Sequence, residues 1–190
     1  MARPSLRENL IAAAVEQFHG RGYAATGVKD ITDAAGAPKG SFYNHFKSKE
    51  ALAVVALERY GATRGLDSLR DPAVPPLTRL RRHFEFLRDE NIDADFNRGC
   101  LVGDLAIEVA DHSEALRTST RKSFEAWAEA LAHAITDAQR AGDVSKALDS
   151  STLAGFVLAS WEGALISART ERSAKPFETF FTIVFGVILR

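Results

Sequence analysis

A chain of 190 residues with 46% apolar and 26% charged side chains can bury its own core without metal or disulfide staples, and its composition is not that of a disordered protein. The net charge of −1 gives no overall basic footprint for a nucleic acid, and a single cysteine, Cys100, excludes an intramolecular disulfide and a multi-cysteine zinc site. The longest apolar run, Phe180 to Leu189, is about half a membrane span and lacks the flanks of a signal peptide, so a cytoplasmic protein with no membrane partner is expected.

Apolar residues recur at three and four rather than at two, which predicts helices throughout and almost no strand. The first helix starts at Ser5, with Glu8 completing a capping box, and runs through Leu10, Ile11, Ala14, Val15 and Phe18 to Gly20. The second spans Val28 to Ala35 with Gly27 at its cap, and the third spans about Pro38 to Phe46. Ser48 caps a fourth, with Leu52, Val55 and Tyr60 on its buried stripe. The prolines of Asp71 to Pro76 then force a break. A fifth helix carries Leu77, Leu80, Phe84 and Leu87, and a short sixth from Cys100 holds Leu101, Leu105 and Val109. Ser113 opens the longest run, with Leu116, Thr120, Phe124, Trp127, Leu131 and Ile135 on one face before Gly142. Two more follow, Ser150 to Ala168 with Leu153, Val157, Trp161 and Leu165, and one from Pro176 with Phe177, Phe181, Val184 and Ile188. The expectation is an all-α fold of about nine helices, a three-helix head followed by a larger helical body.

Two short helices joined by a tight, glycine-containing turn at Gly36 form the helix-turn-helix pattern. Charge is distributed accordingly: residues 1–50 carry seven Lys or Arg against five Asp or Glu, and no acid lies between Lys39 and Lys49. Phe42 and Phe46, four apart, turn to the core of the head and leave Ser41, Tyr43, Asn44 and His45 outward. Gly40 removes a Cβ where a backbone would approach DNA, Lys39 and Lys49 bracket the helix and suit phosphates, and Ser48 sets a helix N-terminus whose dipole would add to the same anion site. Asn44 suits an adenine edge, and Lys39 a guanine or a phosphate. A plain reading of the same helix is two core aromatics with solvated lysines.

The segment GSFYNHFKSKEAL, Gly40 to Leu52, preceded by GYAATGVKDI, Gly22 to Ile31, resembles the TetR family of bacterial one-component transcriptional regulators. The resemblance is specific over residues 5–55. It implies residues 1–50 as a DNA-binding domain and 51–190 as an effector-binding and dimerisation domain. It also implies backbone contacts from Tyr43, His45 and Lys49, and base or backbone contacts from Lys39, Gly40, Ser41 and Asn44. The family often has a hydroxyl where this chain has Gly27, and Lys29 stands beside it as a substitute. A homodimer through the last two helices, reading a palindromic operator on double-stranded DNA, is implied too. Independently, Phe177, Phe180, Phe181, Val184, Phe185 and Ile188 give the last helix more apolar positions than one inward face needs, so either a symmetry mate or the monomer itself must bury the surplus.

The resemblance further implies an effector cavity in the body, for which Phe84, Phe124, Trp127 and Trp161 supply aromatics that can equally be core. The block Gly99 to Arg117 is similar to that of an electrophile-sensing repressor branch that responds to N-ethylmaleimide, in which the cysteine matching Cys100 is modified. A lysine linked to that response is matched here by Arg169. A thiol at a helix N-terminus near Arg98 favours its thiolate; an inert buried cysteine fits the sequence as well. No cofactor and no metal site is expected, and no enzymatic activity. Two rival readings are a thiol enzyme using Cys100 with His112 or His133, which lacks a third orienting group at a recognisable spacing, and a helical interaction module whose head does not bind DNA.

Overall fold

Ser5 opens α1 (Leu6–Arg21) as expected, accepting from the Glu8 amide at 3.3 Å, and Leu10, Ile11, Ala14 and Phe18 form its buried face. The computed structural model describes residues 5–190. At Gly22 the chain takes φ +85° and ψ 161°, a region nearly closed to residues with a Cβ, and α1 stops there. α2 (Val28–Ala34) begins at Gly27, whose amide donates to the Asp30 carboxylate at 2.7 Å.

The third helix differs from expectation. Lys39–Asn44 is a 3₁₀ helix, not an α-helix over 38–46. Its cause is local: the Ser41 amide and hydroxyl both donate to the Pro38 carbonyl, at 2.9 and 2.6 Å, and the His45 amide donates to Phe42 at 2.9 Å. These closures three residues apart set the tighter helix, which is used in such short pieces. Ser48 then caps α3 (Lys49–Ala62) through the Ala51 amide at 3.0 Å. The buried face of α3 runs through Leu52, Ala53, Ala56, Leu57 and Tyr60, while Val55 is only half-buried, and α3 packs on α1.

After a 3₁₀ turn at Leu66–Arg70, α4 (Pro76–Asp93) starts on Pro76, where the missing N–H costs nothing. α5 (Leu101–Val109), α6 (Glu114–Ala141), α7 (Ser150–Glu171) and α8 (Lys175–Ile183) complete the described helices. Ser113 caps α6 through Leu116 at 3.1 Å, and Asp149 caps α7 through Thr152 at 2.9 Å. These eight α-helices and the Lys39–Asn44 helix make the fold all-helical, with no strand among the described residues. By length and hydropathy α7 is the one described helix that could cross a membrane, yet Leu153, Val157, Trp161 and Leu165 on it are buried in protein.

Contacts divide the chain into two units, one made of the chain to Thr63 with Cys100–Ser123, the other of Arg64–Gly99 with Phe124–Arg190. In the first unit α3 shares a core with α1, and α5 is hydrogen-bonded to the turn after α1.

The surplus expected on the last helix is also relocated. Phe177, Phe180, Phe181 and Val184 are buried within the second unit, and Phe185 and Ile188 half-buried. From Val184 to Ile188 the chain widens into a π turn, which rotates the residues that follow. The outward apolar side chains are instead Ile183 and Val187, joined on α7 by Phe156 and Ile166.

Candidate nucleic-acid interface and effector body

Phe42 and Phe46 are buried with ring centroids 5.9 Å apart, and they anchor the Lys39–Asn44 helix to the first unit. Tyr43, whose ring meets Phe42 edge-on at 5.2 Å, is 63% exposed. Lys39, Gly40, Asn44 and His45 are exposed beside it, and Ser41 is half-buried with its hydroxyl turned back to Pro38. At Gly40 an added Cβ would meet nothing within 4 Å, so the surface there is open. The result is a polar face on an apolar anchor, with no carboxylate in the run from Lys39 to Lys49.

Two basic residues are placed differently from expectation. Lys49 sends its ammonium inward: Nζ donates to the Tyr23 and Thr26 carbonyls, both at 3.0 Å, and lies 4.0 Å from the centroid of the Tyr23 ring. Burial pushes the Lys49 ammonium below its usual range, opposed by the nearby Glu108 carboxylate. Two of its three donors are thus committed to the turn before α2, and one remains. Lys29 is exposed but paired with Asp33 one turn along, and that hydrogen bond raises its ammonium. Gly27 is exposed at the α2 N-cap, as the sequence implied.

In the second unit Phe84, Trp127 and Trp161 are buried, while Phe124 is half-buried. Trp161 stacks on Phe177 at 5.2 Å and meets Phe84 and Phe180, each at 5.1 Å. Trp127 donates from Nε1 to His83 Nε2 at 2.9 Å. Sequence periodicity missed three buried polar residues on α4: Arg79, His83 and Asn91. Arg79 donates to the Leu69 carbonyl at 2.9 Å and to Asp137 at 2.8 Å, and that bond holds the Asp137 carboxyl below its ordinary range. Only α4's partners explain them, and Asp137 lies 58 residues on.

Burial, reinforced by the Arg64 guanidinium, lowers His83 to about 4. A histidine neutral in the fold but titrating near 6.5 when unfolded makes the unfolded chain take up the proton first. Stability attributable to His83 is therefore unaffected above about pH 6.5 and falls as pH drops towards 4. Urea unfolding should show a loss of about 2 kcal/mol between pH 7 and pH 5, and His83→Gln, which still accepts from Trp127 but does not titrate, should remove that part of the slope.

The profile for bacterial regulatory proteins of the tetR family matches residues 10–56, and that for the tetracyclin repressor-like C-terminal domain matches residues 76–184. The chain belongs to the TetR family. It is 38% identical to the HTH-type transcriptional repressor DhaR of Mycobacterium sp. (strain GP1), over 100% of this chain and 95% of that protein. Its fold is similar to a crystal structure of a regulatory protein TetR from Rhodobacter sphaeroides, at TM-score 0.88 and 33% identity, over 95% of this chain and 97% of that one. It is also similar to the reduced form of Escherichia coli NemR, at TM-score 0.85 and 28% identity, over 97% of both chains.

As a TetR-family member the chain is a DNA-binding transcriptional repressor type, and Lys39–Asn44 lies within the matched N-terminal region. Cys100 is buried at the N-cap of α5, in the first unit; Arg169 is half-buried in the last turn of α7, in the second.

Proposed function

We propose that this chain represses transcription in the cytoplasm as a homodimer that holds a palindromic operator and releases it when a small molecule or an electrophile is sensed in its body. The observation that carries the reading is the recognition helix itself, an exposed Tyr43 flanked by Lys39, Asn44 and His45 on a buried Phe42–Phe46 anchor. One such head spans only a few base pairs, and two heads related by a two-fold axis read a palindrome. Tyr43→Ala and Lys39→Ala should each weaken retention on the chain's own upstream DNA by about tenfold, with Lys39→Ala also reducing the salt slope by about one. Equal retention by wild type and both variants would contradict the assignment of this face.

The effector side rests on the second unit. Trp161 Nε1 and Asn91 Oδ1 are buried with no hydrogen-bond partner in the protein, and buried polar atoms of this kind call for one. An effector that presented an acceptor to the indole, or a donor to the amide oxygen, would supply the missing partner. Cys100 is the second sensing element, supported by the likeness to NemR, whose structure is described as a reduced form. The thiol is 4% exposed, so attack requires α5 to yield at its start. Wild type treated with N-ethylmaleimide should release its DNA, and Cys100→Ser should stay bound; release by both would remove Cys100 from the mechanism.

A further inference from the structure

The turn that joins α1 to α2 is held from outside by a residue of α5. Glu108 accepts from the Tyr23 amide at 3.2 Å through Oε1 and from the Ala24 amide at 2.8 Å through Oε2. These partners are 85 and 84 residues away in sequence, and the three elements belong to one unit. The carboxylate reaches the turn because Gly22 has no side chain: a Cβ there would lie 2.7 Å from Glu108 Oε1. On its other side the turn is bound by Lys49, through the Tyr23 and Thr26 carbonyls, and Thr26 Oγ1 ties back to the Gly22 carbonyl at 2.7 Å. An anion thus takes the turn's amides and a cation its carbonyls. Gly27, the N-cap of α2, follows directly.

We propose that Glu108 is a positioning residue for DNA binding, which fixes the α1–α2 turn and so sets the seat of the helix-turn-helix according to where α5 stands. The inference rests on the reading of the head as a DNA reader. Hydrogen bonds weaken steeply with distance and angle, so a displacement of α5 by about 1 Å is enough to loosen both bonds. A second link runs the same way: the Ser113 hydroxyl, which caps α6, donates to Glu50 in the first turn of α3. The first turns of α5's successor and of α3 are therefore fastened together as well. Glu108 also makes the position of α5 matter to the head without touching DNA.

The sign of the effect separates this role from simple electrostatics. Removing a negative charge from a DNA-binding head should tighten binding to phosphate, whereas loss of a positioning contact should weaken it. Glu108→Gln, isosteric and with one acceptor left for two amides, should weaken binding of the full-length protein to its upstream DNA by about fivefold, and Glu108→Ala by about tenfold or more, at an unchanged salt slope. In the same proteins hydrogen exchange at the Tyr23 and Ala24 amides should accelerate while α1 and α3 keep their protection. A merely structural cap would lower protection across α1 and α3 together. Tighter or unchanged DNA binding by Glu108→Gln, or wild-type exchange at the two amides, overturns the proposal. Wild type that does not distinguish its upstream region from random DNA would instead defeat the reading of the head, and the exchange measurement would still decide whether Glu108 fixes the turn.

Discussion

Ile183→Glu should leave the chain monomeric at micromolar concentration and weaken operator binding by about a hundredfold. Ile183 is 45% exposed and lines a groove of about 440 Å³ between α7 and α8, with Phe156, Gly163, Ser167 and Thr179. Small residues in such a groove let a second helix pair approach, and the apolar side chains at its edge supply the area to be buried. A two-fold interface places the same residue in both copies, so one substitution buries two carboxylates without partners. Each monomer would then hold only half a palindrome, losing the gain from linked heads. Ile107 offers the control, since it is 77% exposed on α5 in the other unit. Ile107→Glu should leave the dimer intact, and sedimentation velocity on the two variants tests both statements. A dimeric Ile183→Glu would remove the groove from the interface.

Trp161→Ala should cost about 3–5 kcal/mol of stability, measured by urea or thermal unfolding. The side chain is fully buried, and its removal takes away one stacked and two tilted or edge-on ring contacts at once. A void of that size in a close-packed core cannot collapse without moving α7 or α8. Trp161→Phe separates core from effector. It keeps an aromatic face and deletes the unpartnered indole N–H, so the stability loss should stay below about 1.5 kcal/mol. If that N–H receives the effector, the same variant loses release while remaining folded and bound to DNA. A small loss for Trp161→Ala would contradict the description of the body's centre.

Legibility followed the range of the interactions. Ser5, Ser48 and Ser113 announced their helices because a cap acts three residues away, and each cap hydrogen bond is present. Phe42 and Phe46 announced the anchor of the Lys39–Asn44 helix as an apolar pair, and both are buried with their rings in contact although Phe46 falls just past the end of that helix. Its 3₁₀ form was hidden, because it depends on Ser41 turning back on Pro38 rather than on periodicity. Arg79 and His83 look like members of a solvated face, and only Asp137 and Trp127 on a distant helix make their burial tolerable. Nothing in the sequence around Lys49 points to its two carbonyl partners, Tyr23 and Thr26, which lie more than twenty residues upstream. Glu108 had no signal at all in the sequence, sitting in an ordinary polar position of a short helix. Most of the aromatic surplus of the last helix is taken up inside the second unit, by Phe177, Phe180 and Phe181, and the outward apolar positions are Ile183 and Val187.

Sedimentation of the purified full-length chain with its own upstream duplex tests the central claim most directly. Two chains should bind each palindromic site, with affinity about a thousandfold or more above that for random duplex at the same salt and a steep fall as salt rises. One chain per duplex, or equal affinity for the two DNAs, would contradict it.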